Sequence, residues 1–153
     1  MTRTDTVSTG DFALPLPDGW SDRTAVTLAG PAGEHGFVPN VVVTREALCS
    51  GLGLAGFADG QLRLLRDQAQ EVSVLSTDET RLGDARALVR TVRFRVGDGP
   101  ALVQLQAFVV GNGTGYAITG TTGEDAFAEA EPQLRQVVEG FRLAEQAVEA
   151  VPA

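Results

Sequence analysis

The sequence predicts an α+β fold in which a twisted antiparallel sheet carries two main helices. Three observations favour this class. Several β-type segments follow one another through short turns, which is typical of hairpins and therefore of an antiparallel sheet. Two amphipathic segments, at residues 54 to 69 and 124 to 141, have the apolar spacing of helices. These helices do not alternate with every strand, which argues against a parallel α/β arrangement.

The length fits one domain. A chain of 153 residues can bury a core without a metal or a disulfide. We expect a single domain over residues 11 to 143, a polar leader at residues 1 to 10 and a charged, Ala-rich tail at residues 144 to 153. No repeat and no linker divides the chain.

The first half of the chain predicts three short strands followed by a helix. Apolar patterning indicates strands at residues 11 to 16, 24 to 29 and 37 to 45, separated by segments rich in Pro and Gly. Pro39 favours a strand start or a sheet edge for the third of these. Apolar residues at three- and four-residue intervals then predict the amphipathic helix at residues 54 to 69.

The second half predicts consecutive hairpins. Strands are expected at residues 72 to 75 with an extension toward residue 82, and at residues 86 to 96, 101 to 110 and 116 to 122. A turn at residues 97 to 100 joins the second and third of them. Asn112-Gly113, the strongest hairpin signal in the chain, joins the third and fourth.

The hairpin registers predict which face of the sheet each side chain occupies. With residues 97 to 100 as a four-residue turn, Phe94 lies opposite Val103. The predicted core face, covered by both helices, carries Val92, Phe94, Val96, Val103, Leu105, Val109, Tyr116 and Ile118. The predicted open face carries Thr91, Arg93, Arg95, Leu102, Gln104, Gln106, Phe108, Thr119 and Thr121.

The predicted open face mixes apolar, amide and Arg side chains, unlike the Lys and Glu surface of a solvated sheet. It is either an ordinary solvated or half-covered face, or a concave platform for another polypeptide. The platform interpretation assigns client binding to Leu102, Gln104, Gln106, Phe108, Arg93 and Thr119. The two Gln amides would bond the client or, alternatively, neighbouring Thr119 and Thr121. If they are exposed, replacing both by Ala should leave the stability nearly unchanged.

Composition excludes several function classes. A net charge of −8 opposes binding to nucleic acids or anionic membranes. All twelve basic residues are Arg, as in a GC-rich bacterium, so Schiff-base chemistry and a P-loop lysine are excluded. No apolar run is long enough for a membrane anchor. The polar start and the lone Cys49 predict a cytoplasmic protein.

Motifs that resemble catalytic or cofactor sites have simpler explanations. Residues 51 to 56 match G-x-G-x-x-G, but a dinucleotide site needs a parallel βαβ unit around the motif. The single His35 lies in a Gly-rich loop, and Cys49 has no ligand-type neighbour in sequence, so no metal site or catalytic triad is expected. Most carboxylates lie at turns and helix starts, where they act as caps. A carboxylate-pair hydrolase stays open, but we expect no catalytic residue, no cofactor and no enzyme.

One segment carries a family resemblance. Residues 12 to 24, FALPLPDGWSDRT, resemble the opening of the DcrB-like family, with an apolar strand, a Pro-Asp-Gly-Trp turn and an Asp-x-Thr step. Further similarity follows at residues 42 to 46, in the helix containing Phe57 and Leu65, and at residues 103 to 107 and 140 to 143. The resemblance implies the Mog1/PsbP-like fold.

Within that family the chain resembles the Eag-type chaperones of type VI secretion. This resemblance implies a cytoplasmic homodimer that holds the hydrophobic N-terminal segment of a secreted toxin effector before loading into a contractile secretion system. Two other classes stay open. A generic adaptor or assembly factor would have a charged, convex face, whereas an enzyme or ligand-binding domain would have a deep pocket with two of the turn carboxylates or His35.

Overall fold

The structure is a computed structural model that describes residues 5–8, 11–31 and 38–144. In chain order the elements are β1 (Asp5–Ser8), β2 (Ala13–Leu16), β3 (Ala25–Ala29), β4 (Asn40–Ala47), α1 (Leu54–Gln68), β5 (Gln70–Leu82), β6 (Ala85–Arg95), β7 (Leu102–Gly111), β8 (Thr114–Gly123), a 3-10 turn (Glu124–Ala126) and α2 (Phe127–Glu139). His35 and the tail from residue 145 lie outside the described residues.

The main sheet contains six antiparallel strands in the order β3-β4-β8-β7-β6-β5, and it confirms the predicted α+β class. β1 and β2 form a separate two-stranded hairpin. β1 lies in the segment for which the sequence predicted no element. β5 runs the full way to Leu82, and β4 begins at Asn40, directly after Pro39.

The β7–β8 hairpin forms as the sequence predicts. Asn112 has φ 51° and Gly113 has φ 74°, so both turn residues adopt the left-handed conformation that the Asn-Gly pair favours. Gln106 pairs with Thr119, which is the predicted register. The tight turn therefore fixes which β7 and β8 side chains share a face.

The predicted β6–β7 register is wrong by one residue. Phe94 pairs with Leu102 instead of Val103. The Gly99 N–H donates to the Val96 carbonyl at 3.1 Å while Gly97 has φ 57°, so the connection differs from a four-residue turn. Because side chains alternate along a strand, a shift of one residue moves every β6 side chain to the opposite face.

Both faces of the sheet are covered, each by a different helix. On the α2 face, Leu134 and Val138 belong to the cluster that contains Ala107. On the α1 face, Phe57 of α1 belongs to the cluster that contains Phe108. Since neighbouring residues of β7 point to opposite sides, the two helices lie on opposite faces. The expectation that both cover one face is wrong.

Two glycines of β8 allow the helices to approach closely. A Cβ at Gly115 would lie 2.8 Å from the Phe57 ring, and a Cβ at Gly120 would lie 3.1 Å from Leu134 and 3.2 Å from Val138. An odd number of steps separates the two glycines, so they contact the helices on opposite faces. Small residues at these positions bring each helix onto the sheet backbone.

Candidate functional site

The structure separates one of the six predicted binding residues from the others. The observed strand pairs place Leu102, Gln104, Gln106, Phe108 and Thr119 on the α1 face. Arg93 pairs with Val103 and lies on the α2 face, where it forms an ion pair with Glu124. Its assignment to the open face is corrected because it followed from the shifted β6 register.

The two Gln residues belong to a chain of hydrogen bonds that crosses β6, β7 and β8. The Arg90 Nε donates to Gln106 Oε1 at 3.0 Å, and its NH2 group donates to the Ala58 carbonyl of α1 at 2.9 Å. Gln106 Nε2 then donates to Gln104 Oε1 at 2.7 Å. Gln104 Nε2 donates to Thr121 Oγ1 at 2.9 Å. The alternative in which Gln104 bonds a neighbouring Thr is therefore confirmed.

Helix α1 closes part of the face that was expected to be open. Phe108 is 1% exposed and Gln106 is 3% exposed. The Phe57 ring meets the Phe108 ring edge-on, with 5.8 Å between their centroids. The expectation that Gln106 and Phe108 are accessible is wrong, because they lie beneath α1. Leu102, Gln104 and Thr119 are half-buried.

Arg90 organises this covered region, and sequence reasoning missed it. Its guanidinium carbon lies 5.0 Å from the centre of the Phe108 ring, a cation–π geometry. Burial lowers the pKa of the Arg90 guanidinium from its ordinary value, while the negative charge of Asp59 acts in the opposite direction. An Arg inside the apolar run of β6 was the available signal, because a buried Arg needs acceptors.

The part of the α1 face that stays open is a groove beside α1. It has a volume of about 800 Å³, and we call it the Trp20 groove. Its apolar side chains are those of Leu16, Trp20, Phe57 and Leu64. Trp20 is 72% exposed, and Leu64 of α1 is also exposed. The groove thus joins the segment before β3, the helix and the sheet.

Asp22, Arg45 and Glu46 at the groove have hydrogen-bond partners there. The Thr24 N–H donates to Asp22 Oδ1 at 2.8 Å, the Thr24 hydroxyl donates to the same oxygen, and Arg45 donates to Oδ2 at 3.1 Å. The Thr24 hydrogen bonds, followed by those of Arg45, lower the pKa of Asp22. Gln61 donates to Glu46 at 3.1 Å. Because these polar groups bond within the protein, the apolar side chains are the part of the groove that we expect to contact a ligand.

A second cleft, of about 530 Å³, lies on the α2 face between the β3–β4 edge and α2. Leu28, Val41, Leu134 and Val137 contribute its apolar surface. The Leu28 side chain is exposed to solvent. These two grooves therefore lie on opposite faces of the sheet.

The described ranges contain no group of three or more His, Cys, Asp or Glu side chains placed to hold a metal ion. Cys49 is exposed. The glycine segment at residues 51 to 56 leads into α1, but all neighbouring strands of the main sheet are antiparallel, so the dinucleotide motif lacks its βαβ unit. Neither helix of the described ranges combines the length and apolarity needed to cross a bilayer.

Several solved structures share this fold. The chain matches PA94 of Pseudomonas aeruginosa, a protein of unknown function described as a candidate regulator, with a TM-score of 0.76, 18% identity, and coverage of 92% of this chain and 97% of that chain. It matches the cyanobacterial PsbP of Synechocystis sp. PCC 6803 with a TM-score of 0.57, 12% identity and 94% coverage of both chains.

A third match is LpqN of Mycobacterium tuberculosis, described as involved in cell envelope biogenesis. Its TM-score is 0.55 at 13% identity, with coverage of 91% of this chain and 88% of that chain. At these identities the three matches show that the chain shares their fold, and they do not assign a function to it. The PsbP match agrees with the PsbP-like fold that the sequence implied.

No curated protein sequence matches the chain. The family model for DcrB does match, over residues 10–140. This span includes the apolar strand and the Pro-Asp-Gly-Trp turn at the start of the domain, both helices and every strand of the main sheet. The chain belongs to the DcrB family.

Proposed function

We propose that this protein is a non-enzymatic binding protein, a chaperone or adaptor that holds an apolar segment of another polypeptide in the Trp20 groove. The observation that carries the proposal is the exposure of Trp20 in the wall of a groove that also has the apolar side chains of Leu16 and Leu64. Aromatic side chains, Trp above all, are enriched at protein–protein interfaces because they offer a large contact area with few rotatable bonds. A Trp side chain that is 72% exposed contributes little to a core.

Such a client requires an apolar contact surface and polar groups that fix its register, and the groove offers both. Apolar side chains of a client segment would pack on Trp20, Leu64 and Leu16 and would so be kept from aggregating. Polar groups continue along the same face of the sheet, because Thr44 lines the groove and its neighbour on β8, Ala117, lies two residues from Thr119. Half-buried Thr119 could then fix the register of the client.

The class of client follows from the resemblance described above. Eag-type chaperones hold the hydrophobic N-terminal segment of a secreted toxin effector in the cytoplasm before it is loaded into a contractile secretion system. Membership of the DcrB family supports this assignment. We therefore propose such a segment as the client, and the cytoplasm as the place where it is held.

A second candidate is an assembly factor that binds a folded partner. The β1–β2 hairpin stands outside the main sheet, and both Phe12, which directly precedes β2, and Leu14 within β2 are exposed. These two exposed apolar residues could dock on a folded surface without any use of the Trp20 groove. The two candidates therefore differ in which exposed aromatic residue contacts the partner.

Trp20 itself provides the test, because it is the only Trp in the chain. A soluble helical peptide with an apolar stretch of about 20 residues is titrated into the protein. We expect the Trp20 emission to shift to shorter wavelength as the indole leaves water. Leu64→Asp should weaken binding by about 10-fold or more, since it places a charge in the apolar contact.

Leu75→Asp is the matched control, because Leu75 is also an exposed leucine but lies on β5, away from the groove. Its affinity for the peptide should equal that of the unmodified protein. If peptide anisotropy detected binding but the Trp20 emission did not change, the client would bind outside the Trp20 groove. If Phe12→Ala abolished binding instead, the hairpin would be the contact.

A further inference from the structure

The two edges of the main sheet differ in how they are protected. An edge strand exposes unpaired backbone groups, and bulges and charged side chains usually keep other strands away from them. β5 has both kinds of protection, with register shifts before Ser73 and Ser76 and with the charged residues Asp78, Glu79 and Arg81. β3 has the sequence Ala-Val-Thr-Leu-Ala, which contains no charge and no Pro and keeps a regular register with β4. This edge is therefore open to a further strand.

The backbone of β3 has a free side. Its only neighbour among the described strands is β4. The Gly30 N–H donates to the Pro39 carbonyl at 2.8 Å, which marks residue 30 as a hydrogen-bonded position of this ladder. Hydrogen-bonded positions alternate in an antiparallel pair, so Val26 and Leu28 bond β4. The N–H and C=O groups that point away from β4 are those of Ala25, Thr27 and Ala29.

An apolar strip lies beside this row of backbone groups. Val26 and Leu28 are 57% and 54% exposed. They pair with Val43 and Val41, and Val41 belongs to the core cluster beneath α2, so both lie on the α2 face. Leu28 and Val137 of α2 also line the 530 Å³ cleft, and the described residues around this cleft are uncharged. The edge thus combines free backbone groups with an uncharged, largely apolar surface.

We propose that β3 is the docking site for an extended segment of another protein, which adds a seventh strand to the six-stranded sheet. The backbone groups of that segment bond the outward N–H and C=O groups of β3 and supply the affinity, while its alternate side chains supply the selectivity. A helix uses its backbone groups internally, and a small molecule lacks a row of such groups. An extended polypeptide is therefore the occupant that matches this edge.

The surface around β3 also defines the chemistry of the segment. Its residue opposite Leu28 lies on the α2 face and extends the apolar strip, which favours β-branched apolar residues at alternate positions. A charge within the contact would lose its hydration without gaining a partner, because β3 and the described cleft lining are uncharged. Outside the contact, the net charge of −8 favours flanking Lys or Arg. The same charge disfavours a second copy of this acidic chain as the occupant.

This site is separate from the Trp20 groove, because the apolar strip lies on the α2 face and the groove on the α1 face. Failure of one proposal therefore leaves the other in place. The probe is a synthetic peptide in which Val and Thr alternate between two pairs of Lys, with a fluorescent label at one end. We expect the anisotropy of the label to rise when the protein is added, while the Trp20 emission stays unchanged.

A second peptide tests whether the backbone makes the contact. It has the same side chains, but N-methyl groups on its central residues remove the backbone donors. Its dissociation constant should be higher by about 10-fold or more, because several backbone hydrogen bonds to β3 are lost. Equal binding of the two peptides would contradict strand addition.

Two variants of β3 locate the contact on the protein. Leu28→Lys should weaken binding of the first peptide by about 10-fold, because a Lys on an edge strand keeps other strands away. Leu75→Lys is the matched control, since Leu75 is 55% exposed on β5 at the opposite edge and the change of net charge is the same. Thr27→Pro removes an outward N–H and spares the bonds to β4, so it should also weaken binding in a folded protein. Circular dichroism checks the fold of each variant.

Amide hydrogen exchange tests the same contact on the unmodified chain. Saturation with the first peptide should slow exchange at Ala25, Thr27 and Ala29, and unchanged exchange at all three would exclude the contact even where a variant fails to fold. Absence of peptide binding, or binding that neither β3 variant weakens, would also overturn the proposal. So would a dimer in sedimentation velocity that Leu28→Lys dissociates, because a second copy would then occupy the edge.

Discussion

Phe108→Ala is expected to lower the free energy of unfolding by about 3–5 kcal/mol, the cost of removing a fully buried aromatic ring. Phe108 is 1% exposed and packs between the Phe57 ring of α1 and the guanidinium of Arg90. Removing the ring leaves a cavity at the base of α1 and takes away the cation–π partner of a buried Arg. Urea unfolding followed by circular dichroism measures the change.

Phe12→Ala is the control for this experiment. Phe12 is 56% exposed, so its loss should change the stability by no more than about 0.5 kcal/mol. A neutral effect of Phe108→Ala would mean that α1 does not cover this residue. It would restore the open face that the strand pattern alone predicted.

The difference between the two hairpins shows what the sequence could and could not predict. Asn112-Gly113 has one strongly preferred turn, and the β7–β8 register follows from it without error. The connection at residues 96 to 101 has two glycines, and it can close with an even or an odd number of residues. The observed Gly99–Val96 hydrogen bond belongs to the closure that pairs Phe94 with Leu102. The sequence does not indicate this closure, so the prediction assigned every β6 side chain to the wrong face.

The positions of the helices could not be predicted for a related reason. Apolar spacing shows that a helix has a buried side, but it does not say which face of the sheet receives that side. β7 carries apolar residues on both faces, with Leu105 and Ala107 on one and Phe108 on the other. A large aromatic residue on a supposedly open face was a signal that the face is covered.

The Trp20 groove has no local signature in the sequence. Its walls come from a turn before β3, from the exposed side of α1 and from β8, and they meet only because Phe57 packs against Gly115. The strand pattern placed the open surface on β6, β7 and the middle of β8. Once α1 covers those strands, the accessible surface of the same face moves toward β8 and β4.

Gln106→Ala is expected to lower the free energy of unfolding by about 1–3 kcal/mol, because it leaves buried polar groups without partners. Arg90 Nε would lose its acceptor, and Gln104 Oε1 would lose its donor. This corrects the expectation that the double change of Gln104 and Gln106 to Ala is nearly neutral, which assumed that both side chains were exposed. Gln104→Ala alone should cost less, since Gln104 is half-buried and near solvent.

A double-mutant cycle with Arg90→Met and Gln106→Met separates the hydrogen-bonded chain from simple packing. Each single change leaves a buried polar partner unsatisfied, whereas the double variant removes both partners and fills the space with apolar side chains. The double variant should therefore be more stable than the sum of the single losses predicts, by about 1 kcal/mol. Strict additivity in urea unfolding would show that Arg90 and Gln106 act independently.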